Sequence, residues 1–210
     1  MLPLFANIKL MKKGKFIVFE GLDGSGQSTQ ADLLKNYLEK EKNISVVLTK
    51  EPTKELPIGA LIRQVLKKEI SVSPTAFQLL FCADRAEHLK KTIVPTLENK
   101  QWVISDRYFY STIAFGSLDI NNVDWLVKIN EIFLRPDITF LLKVRPEICI
   151  KRIDENRGER EFFEELDKLK KIWETFEILS KRFPDIKIIN GEKSIVEVAS
   201  DIKENLLELN

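Results

Sequence analysis

Short, continuous apolar runs alternate along the chain with longer amphipathic stretches. Phe16-Ile17-Val18-Phe19, Val46-Val47-Leu48, Trp102-Val103-Ile104, Ile138-Thr139-Phe140-Leu141-Leu142 and Ile186-Lys187-Ile188-Ile189 read as strands. Strands without a polar face are buried on both sides, and every gap between these runs is long enough for at least one helix. The connections are therefore helical crossovers and the strands parallel. The expected architecture is α/β, a three-layer α/β/α sandwich with a five-stranded parallel sheet. Leu34, Tyr37 and Leu38 share one face of a helix after the first strand. Two later sets, Leu166, Leu169, Trp173, Phe176, Phe183 and Ile195, Val198, Ile202, Leu206, Leu209, repeat at helical spacing and are expected to pack in the core.

One segment breaks the pattern. Asp154-Glu155-Asn156-Arg157-Gly158-Glu159-Arg160-Glu161 is densely charged and has no apolar face. It is either a solvated loop or a small charged lid, at about 154–164, that closes over phosphates. Residues 1–14 read as an N-terminal extension, with Met11 as an alternative start, and 15–210 as a single domain.

Composition narrows the possible partners. The 210 residues are 44% hydrophobic and 31% charged, with a formal net charge of +1. That charge does not call for nucleic acid or an anionic membrane, so a bound polyanion would need a local cluster of cations. Cys82 and Cys149 lie in apolar runs and are expected as buried thiols in a reducing compartment. No run of 18 apolar residues is present, so a spanning helix is not expected, and the expected location is the cytoplasm. His88, the single histidine, is expected at a helix surface or core edge, and with two distant cysteines it makes no transition-metal site.

The chemistry is concentrated at the end of the first strand. Gly21-Leu22-Asp23-Gly24-Ser25-Gly26-Gln27-Ser28, followed by Thr29, has the frame of a phosphate-binding P-loop, with glutamine where lysine is usual. The glycines let successive amides curl around a phosphate, and the following helix adds unpaired N–H groups and the positive end of its dipole. Ser28 is placed to ligate Mg²⁺. Gln27 supplies a neutral donor where lysine supplies a full charge, and a charge-assisted hydrogen bond is roughly twice as strong. Three consequences stay open: slow catalysis, replacement by another cation, or nucleotide binding without catalysis.

The P-loop together with Glu51-Pro52-Thr53, Leu80-Phe81-Cys82-Ala83-Asp84-Arg85, Asp106-Arg107-Tyr108 and Arg135-Pro136-Asp137, in this order from about residue 14 onward, resembles the thymidylate kinase family. The resemblance implies the P-loop NTPase fold, Mg²⁺ with ATP as phosphoryl donor, dTMP as acceptor, dTTP synthesis and a homodimer. Phe81 and Arg85, four apart on a helix, would stack on thymine and reach its O4. The plain alternative is Phe81 in the core and Arg85 in a surface pair with Asp84 or His88. Asp106, beyond a strand's C-terminal end, would hold Mg²⁺ through water, and Arg107 would grip the acceptor phosphate. The alternative there is a helix-capping aspartate beside a solvated arginine.

Thr112 would read the base, and Phe115, commonly tyrosine in the family, would crowd a ribose 2′-hydroxyl. Asp23, Lys50 and Glu51 complete the acceptor site, with Lys50 where many members have arginine. Adenine would sit near Asn190-Gly191-Glu192-Lys193. Arg157 and Arg160, with Arg152 nearby, would act as lid cations, and Lys143 is a candidate source of the charge Gln27 lacks. Three rivals remain: a catalytically impaired nucleotide-binding module, a kinase for another nucleoside monophosphate or a deoxynucleoside, and a P-loop hydrolase.

Overall fold

The computed structural model describes residues 14–157 and 165–207, with backbone alone at 156 and 157. Five strands, β1 (Phe16–Gly21), β2 (Val46–Lys50), β3 (Trp102–Asp106), β4 (Ile138–Lys143) and β5 (Ile186–Asn190), form one sheet in the order β2-β3-β1-β4-β5. Every pairing is parallel. The helices are α1 (Gln27–Glu41), α2 (Pro57–Leu66), α3 (Pro74–His88), α4 (Val94–Glu98), α5 (Phe109–Gly116), α6 (Val123–Asn130), α7 (Pro146–Arg157), α8 (Leu166–Arg182) and α9 (Ile195–Leu207), with a π turn at Leu89–Ile93. This is the expected three-layer sandwich.

Strand alternation builds two cores. Phe16 and Val18 of β1, Val103 and Leu141 face a cluster with Phe77, Ile113, Leu169 and Phe176. Ile17, Phe19, Ile104, Phe140 and Leu142 face the other way, against Ala31, Leu34 and Leu38 of α1 and Val198, Ile202 and Leu206 of α9. All six residues of β1 are buried, and each large apolar side chain there contributes about 1.5–3 kcal/mol relative to exposure. The register sets Phe19 and Lys50 on either side of Asp106, and Gly21 beside Leu142. The chemistry-bearing ends of β1, β2 and β3 therefore open at one edge of the sheet, where the strand order reverses.

Several details differ from the expected pattern. The strands run up to two residues further than the apolar runs, because their polar C-terminal residues still pair within the ladder. Residues 154–157, expected as loop or lid, belong to α7, whose first turns are anchored by buried Cys149 and Ile153. Phe183 is buried but follows the last turn of α8 in extended backbone. Ile195, expected in the core, is 58% exposed at the start of α9. Cys149 is buried as expected, and Cys82 is only half-buried. Leu209, residues 158–164 and residues 1–13 lie outside the described residues. No helix among the described residues is long and apolar enough to cross a membrane.

Candidate active site

The loop from Gly21 to Ser28 depends on glycine at two points in particular. Gly24 has φ +80, and a β-carbon there would lie 2.6 Å from the Cys149 carbonyl oxygen of α7. Gly26, at φ +98, caps α1 in a left-handed conformation that other residues rarely adopt. The loop closes through Ser25 N–H to the Leu22 carbonyl at 3.0 Å, which leaves the amide-rich turn open to a cavity of about 680 Å³. Asp23 to Gln30, Arg152, Ile153, Gly191 and Lys193 to Ile195 are among its lining residues. The side chain of Gln30 reaches across from α1 and donates to the Ile195 carbonyl at 3.0 Å, tying α9 to the loop. The exposed Ile195 is thus part of this wall, and Gly191 and Lys193 lie where the adenine end was expected.

The Gln27 amide is engaged at both ends within the site. Its Nε2 donates to the Gly21 carbonyl at 3.1 Å, and its Oε1 accepts from Arg107 Nη2 at 3.1 Å. Arg107 is the hub. Its Nη2 also donates to Asp23 Oδ1 at 2.7 Å, and its Nη1 donates to Gly21 O and Ser111 Oγ, both at 2.8 Å. Its guanidinium lies 5.0 Å from the Phe115 ring centroid. The arginine is mostly buried rather than solvated. Its backbone has φ +73, a conformation that costs about 1–3 kcal/mol outside glycine. The strain is held by Arg107 N–H to Phe19 O at 2.9 Å and Ser105 Oγ–H to Arg107 O at 2.7 Å.

A second cluster lies where β2 and β3 end. Asp106 Oδ2 accepts from Ser28 Oγ at 2.5 Å and from Lys50 Nζ at 2.8 Å. Burial works to raise the pKa of Asp106, but the charges of Lys50 and Arg107 and the bonds from Lys50 and Ser28 hold it below the ordinary carboxylate value. Asp106 Oδ1 is buried and has no partner. An unsatisfied carboxylate oxygen beside a hydroxyl suits Mg²⁺, which keeps waters and phosphate oxygens as most of its ligands. The described residues contain no cluster of three or more His, Cys, Asp or Glu side chains that would cage a metal by themselves.

The neighbouring cavity, about 440 Å³, is lined by Phe81, Arg85, Tyr108, Thr112 and Phe115, with Lys50 and Glu51 at its inner end. Arg85 is fully buried in the wall of this cavity, so it is not the surface pair with Asp84 or His88. It pairs with Glu51 at 2.7 Å, and donates to Asn130 Oδ1 at 2.6 Å and Thr112 Oγ1 at 2.7 Å. Burial works to lower its pKa, and the Glu51 charge, nearby Cys82 and Tyr108, and the bond to Glu51 together outweigh that and raise it. His88 is buried at the back of the same network, bonded to Glu51 Oε1 at 3.0 Å and Thr49 Oγ1 at 2.7 Å. Asp84 faces Thr53 instead, at 2.6 Å and 2.8 Å.

Sequence reasoning missed Glu20. Fully buried under Arg107, it accepts from Tyr108 N–H at 3.0 Å, Ser111 N–H at 3.1 Å and the Ser111 hydroxyl. Desolvation pushes its pKa up to about 7, against the opposing hydrogen bonds and the Arg107 charge. Its signal in the sequence was an acidic residue just before the P-loop, with nothing to name its partners. Lys143 stands elsewhere: it is 56% exposed, 3.7 Å from Glu177 and above the Trp173 ring. It lines neither cavity, so it does not supply the charge Gln27 lacks. The Arg157 side chain and all of Arg160 lie outside the described residues.

Comparison with known proteins agrees with this geometry. The family model for thymidylate kinase matches residues 19–202. A probable thymidylate kinase of Pyrococcus horikoshii is 40% identical over 198 residues, covering 90% of this chain and 94% of that protein. The thymidylate kinase of Plasmodium falciparum is 39% identical over 199 residues, covering 94% and 92%. The solved structure of thymidylate kinase from Candida albicans superposes with a TM-score of 0.80 at 30% identity, over 93% of this chain and 92% of that one. On sequence and on fold alike, the chain belongs to the thymidylate kinase family.

Proposed function

We propose that this chain transfers the γ-phosphoryl group of ATP to thymidine monophosphate, giving dTDP and ADP in the supply of dTTP. The reading is carried by one observation: Asp23, Lys50 and Arg107 line both the P-loop cavity and the Phe81 cavity. Two anionic substrates entering from opposite sides would bring their phosphates together at these three residues. A hydrolase needs no such second cavity.

Phosphoryl transfer needs in-line positioning and compensation of charge, and little covalent help from the protein. The P-loop amides hold the donor's phosphates, with adenine toward Gly191 and Lys193. Phe81 stacks on thymine, Arg85 and Thr112 read its edge, and Phe115 crowds a 2′-hydroxyl. Arg107 and Lys50 take the acceptor phosphate, and Asp23 keeps the arginine aimed. Ser28 and Asp106 would hold Mg²⁺, which when bound neutralises charge on the donor's phosphates. A lid at about 154–164, with Arg157 and Arg160, a homodimeric assembly and a cytoplasmic location complete the proposal.

Release of ADP from Mg·ATP, measured with each nucleoside monophosphate in turn, tests the reading. Turnover is expected with dTMP and at least tenfold less with UMP or dCMP. Acceptor-independent release would favour a hydrolase. Nucleotide binding without any turnover would mark an inactive module.

A further inference from the structure

We infer that Lys50, on β2, carries the positive charge that a P-loop lysine would otherwise bring to the donor's phosphates. The inference deepens the phosphotransfer reading and rests on it for the identity of the donor. The positive charge has moved from the first turn of α1 to the end of a neighbouring strand.

Gln27 cannot compensate by itself. Both ends of its amide are engaged inside the loop, on Gly21 O and Arg107. Besides Lys50, three cations among the described residues line the P-loop cavity; all three already bond protein groups, and Arg107 is the one assigned to the acceptor's phosphate. Arg107 makes four hydrogen bonds to Gly21, Asp23, Gln27 and Ser111. Arg152 donates to the Gly191 carbonyl at 3.1 Å, and Lys193 pairs with Asp201 at 2.6 Å.

Lys50 differs from them. Its side chain is 44% exposed, and its ammonium gives one hydrogen bond, to Asp106 Oδ2. An ammonium has three N–H donors, so two remain for a ligand. The same carboxylate oxygen binds the Ser28 hydroxyl in the first turn of α1, so Lys50 Nζ stands one carboxylate away from the helix end that receives phosphate. The β2–β3 register, Lys50 opposite Asp106, fixes that position. Because Lys50 also lines the acceptor cavity, one flexible ammonium reaches the boundary where the transferring group lies.

A double-mutant cycle between Lys50→Met and Gln27→Lys tests this, read by calorimetry of Mg·ATP and by steady-state turnover. Lys50→Met keeps the apolar stem and removes the charge. It is expected to weaken Mg·ATP about tenfold and to lower kcat with saturating dTMP about 100-fold, the scale of losing one charge-stabilising donor. Lys50→Arg is expected to stay within tenfold of the parent. Adding Gln27→Lys to Lys50→Met should recover at least tenfold of each loss, and should tighten Mg·ATP more in that background than alongside Lys50. A double variant no better than Lys50→Met would overturn the inference. So would a Lys50→Met variant that raises KM for dTMP with kcat and Mg·ATP affinity intact. The calorimetric arm contains no acceptor, so failure of the parent protein to turn over dTMP would sink the proposed function and leave this test standing.

Discussion

At the scale of single residues, Glu20 makes the sharpest thermodynamic statement. Its carboxyl is buried without a paired cation in hydrogen-bond contact, and desolvation raises its pKa from 4.5 to about 7. A carboxyl raised in the folded state binds its proton more tightly there than in the unfolded chain. Folding is then favoured below that window and loses stability as pH rises from 4.5 to about 7. At about 1.4 kcal/mol per pH unit, the full loss is about 3.5 kcal/mol, about 3 of it between pH 4.5 and 7.5. Glu20→Gln keeps an acceptor for the Tyr108 and Ser111 amides and removes the titration. Urea unfolding at pH 4.5 and 7.5 should show the parent losing that much more than the variant. Equal losses would mean that Glu20 is not the titrating group. The P-loop spacing pointed to the wall of one cavity, and the family resemblance pointed to Phe81, Arg107, Thr112 and Phe115, which line the other. Glu20, and the pairing of Arg85 with Glu51, were not legible, since a polar residue inside an apolar element announces no partner. The partners are remote in sequence: Ser111 lies 91 residues from Glu20.

Among the elements, β1, β3 and β4 were legible because burial on both faces leaves continuous apolar runs. Edge strands β2 and β5 were legible because their runs stay largely apolar though only partly buried, and α8 and α9 because each has one broad apolar stripe. The short α5 gave no such stripe: seven of its eight residues are buried, so periodicity is lost. Yet α5 presents Ser111, Thr112 and Phe115 to the site. Its outer anchor is Tyr110, whose hydroxyl donates to the Asp185 carboxylate at 2.8 Å and 2.9 Å just before β5. Burial, then the Asp185 charge, drives the phenol pKa upward, so it stays a donor across the working range. Tyr110→Phe leaves that carboxylate short of its donor and is expected to destabilise the fold by about 1–2 kcal/mol. Because the bond lies at the far side of the helix from the cavities, KM for dTMP should change less than threefold. Chemical denaturation and steady-state kinetics on one preparation decide it. A large KM effect with unchanged stability would make Tyr110 part of the substrate site.

For the whole molecule, a net charge of +1 gives little long-range attraction for nucleotides, so recognition rests on the local cations at the sheet's edge. Binding there should tighten the fold, because the acceptor cavity is walled by α2, α3, α5 and the end of β2, elements separate in sequence. A ligand that binds only the folded state stabilises it by about 2.7 kcal/mol at 100 times its Kd. For a chain of this size each kcal/mol raises Tm by about 2–4 °C, so saturating dTMP is expected to raise it by about 5–10 °C. UMP differs in both base and sugar, and on the proposed reading its 2′-hydroxyl would project toward Phe115. At the same concentration it should give less than half that shift. Thermal melts without ATP separate this from catalysis, so the outcome bears on the acceptor cavity alone. Equal shifts from dTMP and UMP would remove Phe115 and Thr112 from selectivity. No shift with dTMP would mean that the space between Phe81 and Phe115 is not where the acceptor binds, whatever the P-loop does with ATP.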